Sequence, residues 1–103
     1  MPWFITAATR IKEMTPMQLR CFGFYETCDE AFNAVEENRG NMRECLYDYL
    51  VIELIEQGIH PEVLVEYWFK WDSEYCHPDM SHGRWLKCEK PEEFNGIVNF
   101  ALG

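Results

Sequence analysis

Long apolar runs are missing from this chain of 103 residues. A bilayer-spanning helix needs roughly 18 or more consecutive apolar residues. No such run occurs, so the sequence excludes a transmembrane helix. The first ten residues also lack the basic and apolar regions of a secretory signal peptide. We therefore expect residues 1–103 to form one cytoplasmic domain, large enough to bury a core without disulfides.

Positive charge is scarce as well. The chain has 9 Lys and Arg against 18 Asp and Glu, a net charge of −9. Binding nucleic acid through its phosphates needs clustered cations, so this function class is disfavoured. Residues 26–66 hold eleven acids against Arg39 and Arg43 and carry the whole imbalance. Such a region either keeps a solvated face soluble or attracts a basic partner.

Cysteine pairs with zinc-knuckle spacing are absent. The odd set of five cysteines favours reduced thiols. Zinc prefers four tetrahedral sulfur and nitrogen ligands, and the weak candidates, poorly spaced, are Cys76, His77, His82 and Cys88. The same residues could supply a Cys/His nucleophile pair, but Glu74, Asp79 and Glu89 nearby favour the neutral thiol. We expect no metal, no cofactor and no catalytic residue, with a zinc or cysteine enzyme as a remote alternative.

The most regular feature that the sequence does contain is the alternation of Val63–Trp71. It predicts a strand with one buried face and one mostly solvated face. Trp68 falls on the solvated face, between Glu66 and Lys70. This large ring is the first sign of aromatic surface beyond the core.

Similar patterns predict the rest of an α+β fold. Thr27 and Glu30 fit a capping box. The helix that follows has an apolar stripe from Cys28 to Val35, and Gly40 is available as its left-handed stop. The remaining predicted strands are 3–11, 18–25, 49–56 and 85–88. Gly23 indicates a bulge or a close backbone approach, residues 72–84 a polar loop, and residues 91–98 a short helix. We expect a mainly antiparallel sheet of four to five strands in the order β-β-α-β-β-β-α, with the capped helix on one face.

Aromatic residues make up 16% of the chain, more than one thin core requires. They could fill cores on both sheet faces, if the C-terminal segment covers the second, or they could line an interface or pocket. Phe22 and Phe24 are predicted to share a strand face with Arg20. An aromatic pocket with cations suits a nucleotide-like anion; its candidate residues are Arg20, Phe24, Trp68, Lys70, Arg84 and Trp85. Glu53 and Glu66 lie on facing predicted strands, where sharing a site would raise one pKa.

Five segments together suggest a family: CFGFYET, DEAFNAV, VIELIEQGIHP, WFKWD and EKPEEFNGIVNFALG. The chain resembles short uncharacterised proteins from gut Firmicutes and their phages or mobile elements. The resemblance covers most of the chain and brings no activity or catalytic residues with it. It implies an accessory or counter-defence protein that binds something of the host.

The preferred hypothesis is therefore a non-enzymatic binding protein that inhibits a host partner. An acidic face would steer the encounter and exposed aromatics would anchor it. The predicted contact residues are Glu30, Glu36, Glu37, Glu44, Trp68 and Trp71. The alternative is an oligomeric protein that sequesters a nucleotide-like ligand, and a homo-oligomer is compatible with either hypothesis.

Overall fold

The computed structural model describes residues 2–9, 18–41, 47–59, 61–78, 82–95 and 100–101. Its elements are β1 Trp3–Ala8, β2 Leu19–Tyr25, α1 Cys28–Glu36, a 3₁₀ turn Arg39–Asn41, β3 Tyr49–Ile55, β4 Val63–Cys76, β5 His82–Cys88 and a 3₁₀ turn Glu92–Phe94. The α+β class is confirmed. No helix in this described part is long and apolar enough to cross a bilayer. Positions 10 and 11 of the first predicted strand lie outside the described residues.

The five strands form one antiparallel sheet in the order β2-β1-β3-β4-β5. β3 lies at its centre, as expected for a strand with apolar side chains on both faces. Leu50, Val51 and Ile52 in this strand are all buried. Among the described strands, β2 and β5 form the two edges of the sheet.

Strand β2 carries the bulge that was predicted at Gly23. Ile5 of β1 pairs with Gly23, whereas the next residue, Thr6, pairs with Cys21. Phe22 is therefore the extra residue on the bulged strand. Gly23 has a φ of 141°, in the region that favours glycine.

The bulge separates two phenylalanines that were predicted to share a face. Phe22 packs on the helix-covered face of the sheet, where its ring lies edge-on to Tyr47 at 5.9 Å. Arg20 lies 4.8 Å from the centre of the Phe22 ring. Phe24 instead pairs with Phe4 on the opposite face, with ring centres 5.6 Å apart. The prediction of a shared face is wrong because the extra residue reverses the alternation.

Helix α1 begins at the predicted cap. The Thr27 hydroxyl accepts a hydrogen bond from the Glu30 N–H at 3.2 Å and donates one to the Glu30 carboxylate at 3.0 Å. At the other end Asn38 has a φ of 51°, and its N–H donates to the Val35 carbonyl. Asn38, not Gly40, is therefore the first left-handed residue after the helix, consistent with the tolerance of Asn for this conformation. Gly40 also has a positive φ, within the following 3₁₀ turn.

The sheet face beneath α1 holds the larger core. Phe32 of the helix lies edge-on to Tyr67 and Phe69 of β4, with ring centres 5.1 and 5.6 Å away. Phe32 and Tyr67 are half-buried and pack against a cluster of buried residues that includes Phe69. Its members are Ile5, Ala7, Ala31, Ala34, Val35, Leu50, Ile52, Phe69 and Trp85.

Strands β4 and β5 are longer than predicted. β4 continues to Cys76 and β5 begins at His82, so most of the predicted polar loop at 72–84 is a hairpin. Asp72 pairs with Arg84, and Cys76 pairs with His82. The polar composition of residues 72–84 led to the wrong prediction of a loop. The outer part of β4 is largely exposed to solvent, so it lacks the alternation of apolar and polar residues by which a half-buried strand is recognised.

The opposite face of the sheet is covered by the C-terminal strap, which we define as residues 91–95 and 100–101. Phe94 stacks on the indole of Trp68 with ring centres 5.5 Å apart, and Phe100 meets it edge-on at 4.9 Å. The exposed fraction of Trp68 is only 2%. The expectation that Trp68 lies on a solvated face is wrong. The alternative, in which the C-terminal segment covers the second face, is confirmed.

The predicted C-terminal helix at 91–98 is only a 3₁₀ turn, Glu92–Phe94. The backbone of Asn95 is extended, with a ψ of 136°, so the turn ends directly after Phe94, the residue that packs on the sheet. Positions 96–98 of the predicted helix lie outside the described residues.

Candidate functional site

A groove of about 380 Å³ opens on the helix-covered face, between α1 and the β4–β5 hairpin. Aromatic rings form much of its wall, and Arg84 and Lys87 bring two cations to it. Glu36 is the single carboxylate among its described lining residues. We call it the cationic groove; those lining residues are Phe32, Val35, Glu36, Phe69, Tyr75, His77, Arg84, Trp85 and Lys87.

Arg84 is held at one end of the groove by two neighbours on β4. Its guanidinium carbon lies 4.0 Å from the centre of the Tyr75 ring, a close cation–π contact. Its Nε lies 3.6 Å from Oδ2 of Asp72, the cross-strand partner. The ring and the carboxylate together orient the planar donor group while leaving Arg84 exposed.

Lys87 lies on the same strand, three residues further along. Its Nζ is 4.8 Å from the centre of the Tyr67 ring and 5.9 Å from that of Phe32. Within the described part of the chain, no carboxylate lies within ion-pair distance of Lys87. An ammonium over ring faces keeps its full charge, so it can still attract an anion.

Trp85 forms the back of the groove and connects it to the end of α1. Its indole Nε1 donates to the side-chain oxygen of Asn38 at 3.1 Å, and its ring meets Trp71 nearly edge-on at 5.3 Å. Trp71 lies across Gly83, whose φ of 96° and missing side chain leave room for the ring. The left-handed residue after α1 therefore also positions the groove wall.

His77 completes the outer rim. Its Nε2 lies 2.7 Å from the Gly83 carbonyl, so this nitrogen carries the proton and donates. Its ring meets Tyr75 edge-on at 4.7 Å. The bond across the hairpin holds His77 close to Arg84 at the same end of the groove.

Two thiols have raised pKa values, and one of them, Cys28, lies close enough to Lys87 to be affected by its charge. Burial raises the pKa of Cys28, Asp29 raises it further, and Lys87 opposes both. Burial also raises the pKa of Cys88, against the effect of Lys70. Both side chains therefore favour the neutral thiol, which is a poor nucleophile.

The predicted anion-binding set does not share one pocket. Arg84 and Trp85 line the cationic groove, on the helix-covered face. Trp68 belongs to the core on the opposite face, beneath the strap. The members outside the groove are Arg20, Phe24, Trp68 and Lys70. Strand alternation already separates Trp68 from Trp85, because the two belong to opposite faces of neighbouring strands.

The predicted partner-binding set is also divided. Trp68 cannot anchor a partner while the strap covers it, so its assignment as an exposed contact is corrected. Trp71 is half-buried on the helix-covered face. Glu44 lies outside the described residues. Exposed on or just after α1 are Glu30, Glu36 and Glu37.

The four weak zinc candidates cannot meet at one ion. Cys76 pairs with His82 at the tip of the hairpin, whereas Cys88 pairs with Trp68. Six residues along a strand separate His82 from Cys88, about 20 Å at the usual rise. No cluster of three His, Cys, Asp or Glu that could hold a metal occurs within the described ranges.

Sequence reasoning missed Lys87, Tyr75 and Asn38. Lys87 follows Trp85 by two positions, so the alternation of a strand could have placed both on one face. The loop assignment at 72–84 hid Tyr75. Asn38 carried no separate signal, because its role depends on the side chain of Trp85 from a remote strand.

Comparison with known proteins supplies no identity for this chain. No family model, no curated protein and no solved structure matches it. The resemblance to short phage and mobile-element proteins therefore stays a prediction, and function must be argued from the geometry.

Proposed function

We propose that this protein binds, without transforming it, a small planar anion of the nucleotide class in the cationic groove. The observation that carries the proposal is the placement of Arg84 and Lys87 over aromatic rings at one groove, in a chain of net charge −9. Cations already fixed against rings lose little freedom when a ligand arrives. Because the chain as a whole is acidic, these two cations favour the groove as the place where an anion would bind.

The shape of the groove fits such a ligand. Its volume of about 380 Å³ lies within the range of small-molecule pockets. A planar base could stack on a half-buried ring such as Tyr75 or Phe32, a contact that contributes roughly 1–3 kcal/mol for each base. The guanidinium of Arg84 can bind two phosphate oxygens at once, while Lys87 supplies a point charge.

A binding role without catalysis is supported by the two thiols whose pKa values are raised. Cys28 and Cys88 both favour the protonated form, so neither is activated as a nucleophile. The Nε2–H of His77 already donates a hydrogen bond to the Gly83 carbonyl, so this nitrogen is not free to act as a base.

Thermal unfolding with a panel of nucleotides, nucleosides and inorganic phosphate tests the proposal. A ligand that binds only the folded state raises the unfolding midpoint, by an amount that grows with its concentration. We expect nucleotides to raise it more than nucleosides or phosphate alone, because the groove offers rings and cations together. If no member of the panel moves the midpoint, the proposal is wrong.

Matched variants assign the binding to the groove. R84M/K87M removes both cations but keeps much of their apolar length, and we expect nucleotide affinity to fall roughly tenfold or more. K70M removes an exposed cation from the opposite face and should leave affinity unchanged. Equal binding by R84M/K87M and wild type, measured by calorimetry, would place the ligand elsewhere.

A second candidate function is favoured by the exposed acids near α1. Asp29, Glu30, Glu36 and Glu37 are all exposed, and no basic residue occupies the last turn of the helix. Such a face can steer a basic protein partner, as expected for an inhibitor of a host protein. Only the anchoring role of Trp68 is withdrawn from that hypothesis.

The two functions separate experimentally. In pull-downs from host extract, E30Q/E36Q/E37Q should capture less of any basic partner than wild type, and the difference should vanish at high salt. R84M/K87M serves as the control and should capture the partner as wild type does. Equal capture by all three proteins at low salt would contradict the acidic-face hypothesis and leave the groove proposal intact.

A further inference from the structure

Glu53 is an acid at the centre of the sheet. It belongs to β3, on the strap-covered face, and its exposed fraction is 0%. Its sheet neighbours Val51 and Ile55 are buried apolar residues. A carboxyl group in such a place costs free energy unless it gains partners or a proton.

The partners of Glu53 come from the strap. The N–H of Phe100 donates to Oε2 at 3.1 Å, and the N–H of Ala101 donates to Oε1 at 3.0 Å. Both carboxyl oxygens are therefore used on consecutive backbone groups. The aromatic contacts of Phe94 and Phe100 with Trp68 complete the attachment.

The groups around Glu53 oppose one another. The net effect raises the pKa of Glu53 to about 7; burial is the largest cause, and the charge of Glu66 on β4 acts in the same direction. The two strap N–H groups lower the pKa, as does Lys90, which lies 3.9 Å from Glu66. On the β1 side the cross-strand neighbour is Phe4, which carries no charge. The predicted pairing of Glu53 with Glu66 is confirmed by the strand register.

The closed strap removes water from the carboxyl group of Glu53. With the strap in place, ionised Glu53 loses its water and keeps only two N–H donors; with the strap away, the carboxylate is hydrated. The neutral form loses much less on burial. Protonation therefore favours the closed strap, and ionisation favours the open one.

We infer that residues 91–95 and 100–101 form a proton-sensitive strap, which stays closed over Glu53 while this buried carboxyl is neutral and is loosened as it ionises. Opening exposes Trp68 and the apolar sheet face beneath it. The switch does not depend on the cationic groove, which lies on the other side of the sheet.

Amide hydrogen exchange of the intact protein, followed by NMR, tests the switch. Protection factors, which correct for the intrinsic pH dependence of exchange, are compared at Phe100 and Ala101. We expect them to fall by roughly tenfold or more between about pH 5.5 and about pH 8. The amide of Ile52, in the central strand, should stay better protected than the strap at both pH values, since its exchange requires the sheet to open.

Two variants assign the effect to Glu53. E53Q keeps the shape but cannot ionise, so the protection of the strap should no longer change with pH. E66Q keeps Glu53 and removes the like charge beside it, so the pH dependence should persist with a lower midpoint. This second variant keeps the test decisive even if E53Q does not fold.

Three results would overturn the inference. They are equal strap protection in the wild type at both pH values, an unchanged pH dependence in E53Q, and a midpoint in E66Q that stays the same or rises.

Discussion

The two faces of the sheet are covered in different ways. On one face α1, a helix of nine residues, is held by its own local cap and buries a broad aromatic core. On the other face the strap comes from a later part of the chain and is held by the buried acid Glu53 and by aromatic contacts with Trp68. The helix stops short of filling its face and leaves the cationic groove open beside β5. The strap covers Trp68 almost completely.

This difference explains where the surplus of aromatic residues goes. Rings under the strap, such as Trp68, contribute to stability and are unavailable to a ligand while the strap is closed. Rings beside the helix, such as Tyr75 and Phe32, are half-buried and carry cations on their faces. The type of cover, more than the number of rings, separates architecture from binding in this protein.

The largest expected loss of stability comes from removing the indole ring of Trp68 beneath the strap. Trp68→Ala should destabilise the protein by about 3–5 kcal/mol, because it deletes a buried indole between Phe94 and Phe100. Urea unfolding measures the loss. Phe24→Ala on the same face is the control, since Phe24 is 54% exposed and its loss should cost far less. Equal losses would mean that the strap does not bury Trp68.

The next largest effect is a pH dependence of the unfolding free energy, which only the strap-covered face should show. The pKa of Glu53 is raised from an ordinary 4.5 to about 7, so the folded state holds its proton more tightly than the unfolded state. Its contribution is complete below about pH 4.5 and is lost as the pH rises through about 7, by roughly 3 kcal/mol in total. Unfolding free energies of wild type and E53Q, measured across this range, should therefore converge or cross as the pH rises. A constant difference would contradict the raised pKa.

The sequence predicted the framework of both faces from short-range patterns. An apolar run with both faces hydrophobic identified β3, alternation identified the inner part of β4, and the pair Thr27 and Glu30 fixed the start of α1. Gly23 marked the bulge. These features depend on neighbours in the chain, so local physical rules were sufficient.

Features that depend on remote contacts could not be read in the same way. The solvated face expected for Trp68 became a core because the strap returns from residues about thirty positions later, a pairing that no local pattern encodes. The cationic groove needed the register of Arg84 and Lys87 against β4, which the loop assignment at 72–84 concealed. The pairing of Glu53 with Glu66 was predicted, but its burial depended on the strap.

A moderate effect is expected at the hairpin beside the groove. Gly83→Ala places a methyl group against the indole of Trp71 at a φ of 96°, so it combines overpacking with backbone strain. We expect a loss of roughly 1–3 kcal/mol. Gly58→Ala is the matched control, because its φ of 131° imposes strain but nothing lies near the added carbon. The two variants would lose equal stability only if Trp71 could move aside freely, which would loosen the wall of the groove.

The smallest expected loss of stability distinguishes the local cap of α1 from the attachment of the strap by Glu53. Thr27→Ala removes the hydroxyl that accepts from the Glu30 N–H, and loss of such a cap costs about 1 kcal/mol. Because the cap lies on the surface and no buried ionisable group takes part in it, the loss should be the same near pH 6 and near pH 8. Chemical denaturation at both pH values measures it, beside E53Q. If the loss in T27A varied with pH as strongly as that in E53Q, the pH response would belong to the whole fold and not to the strap.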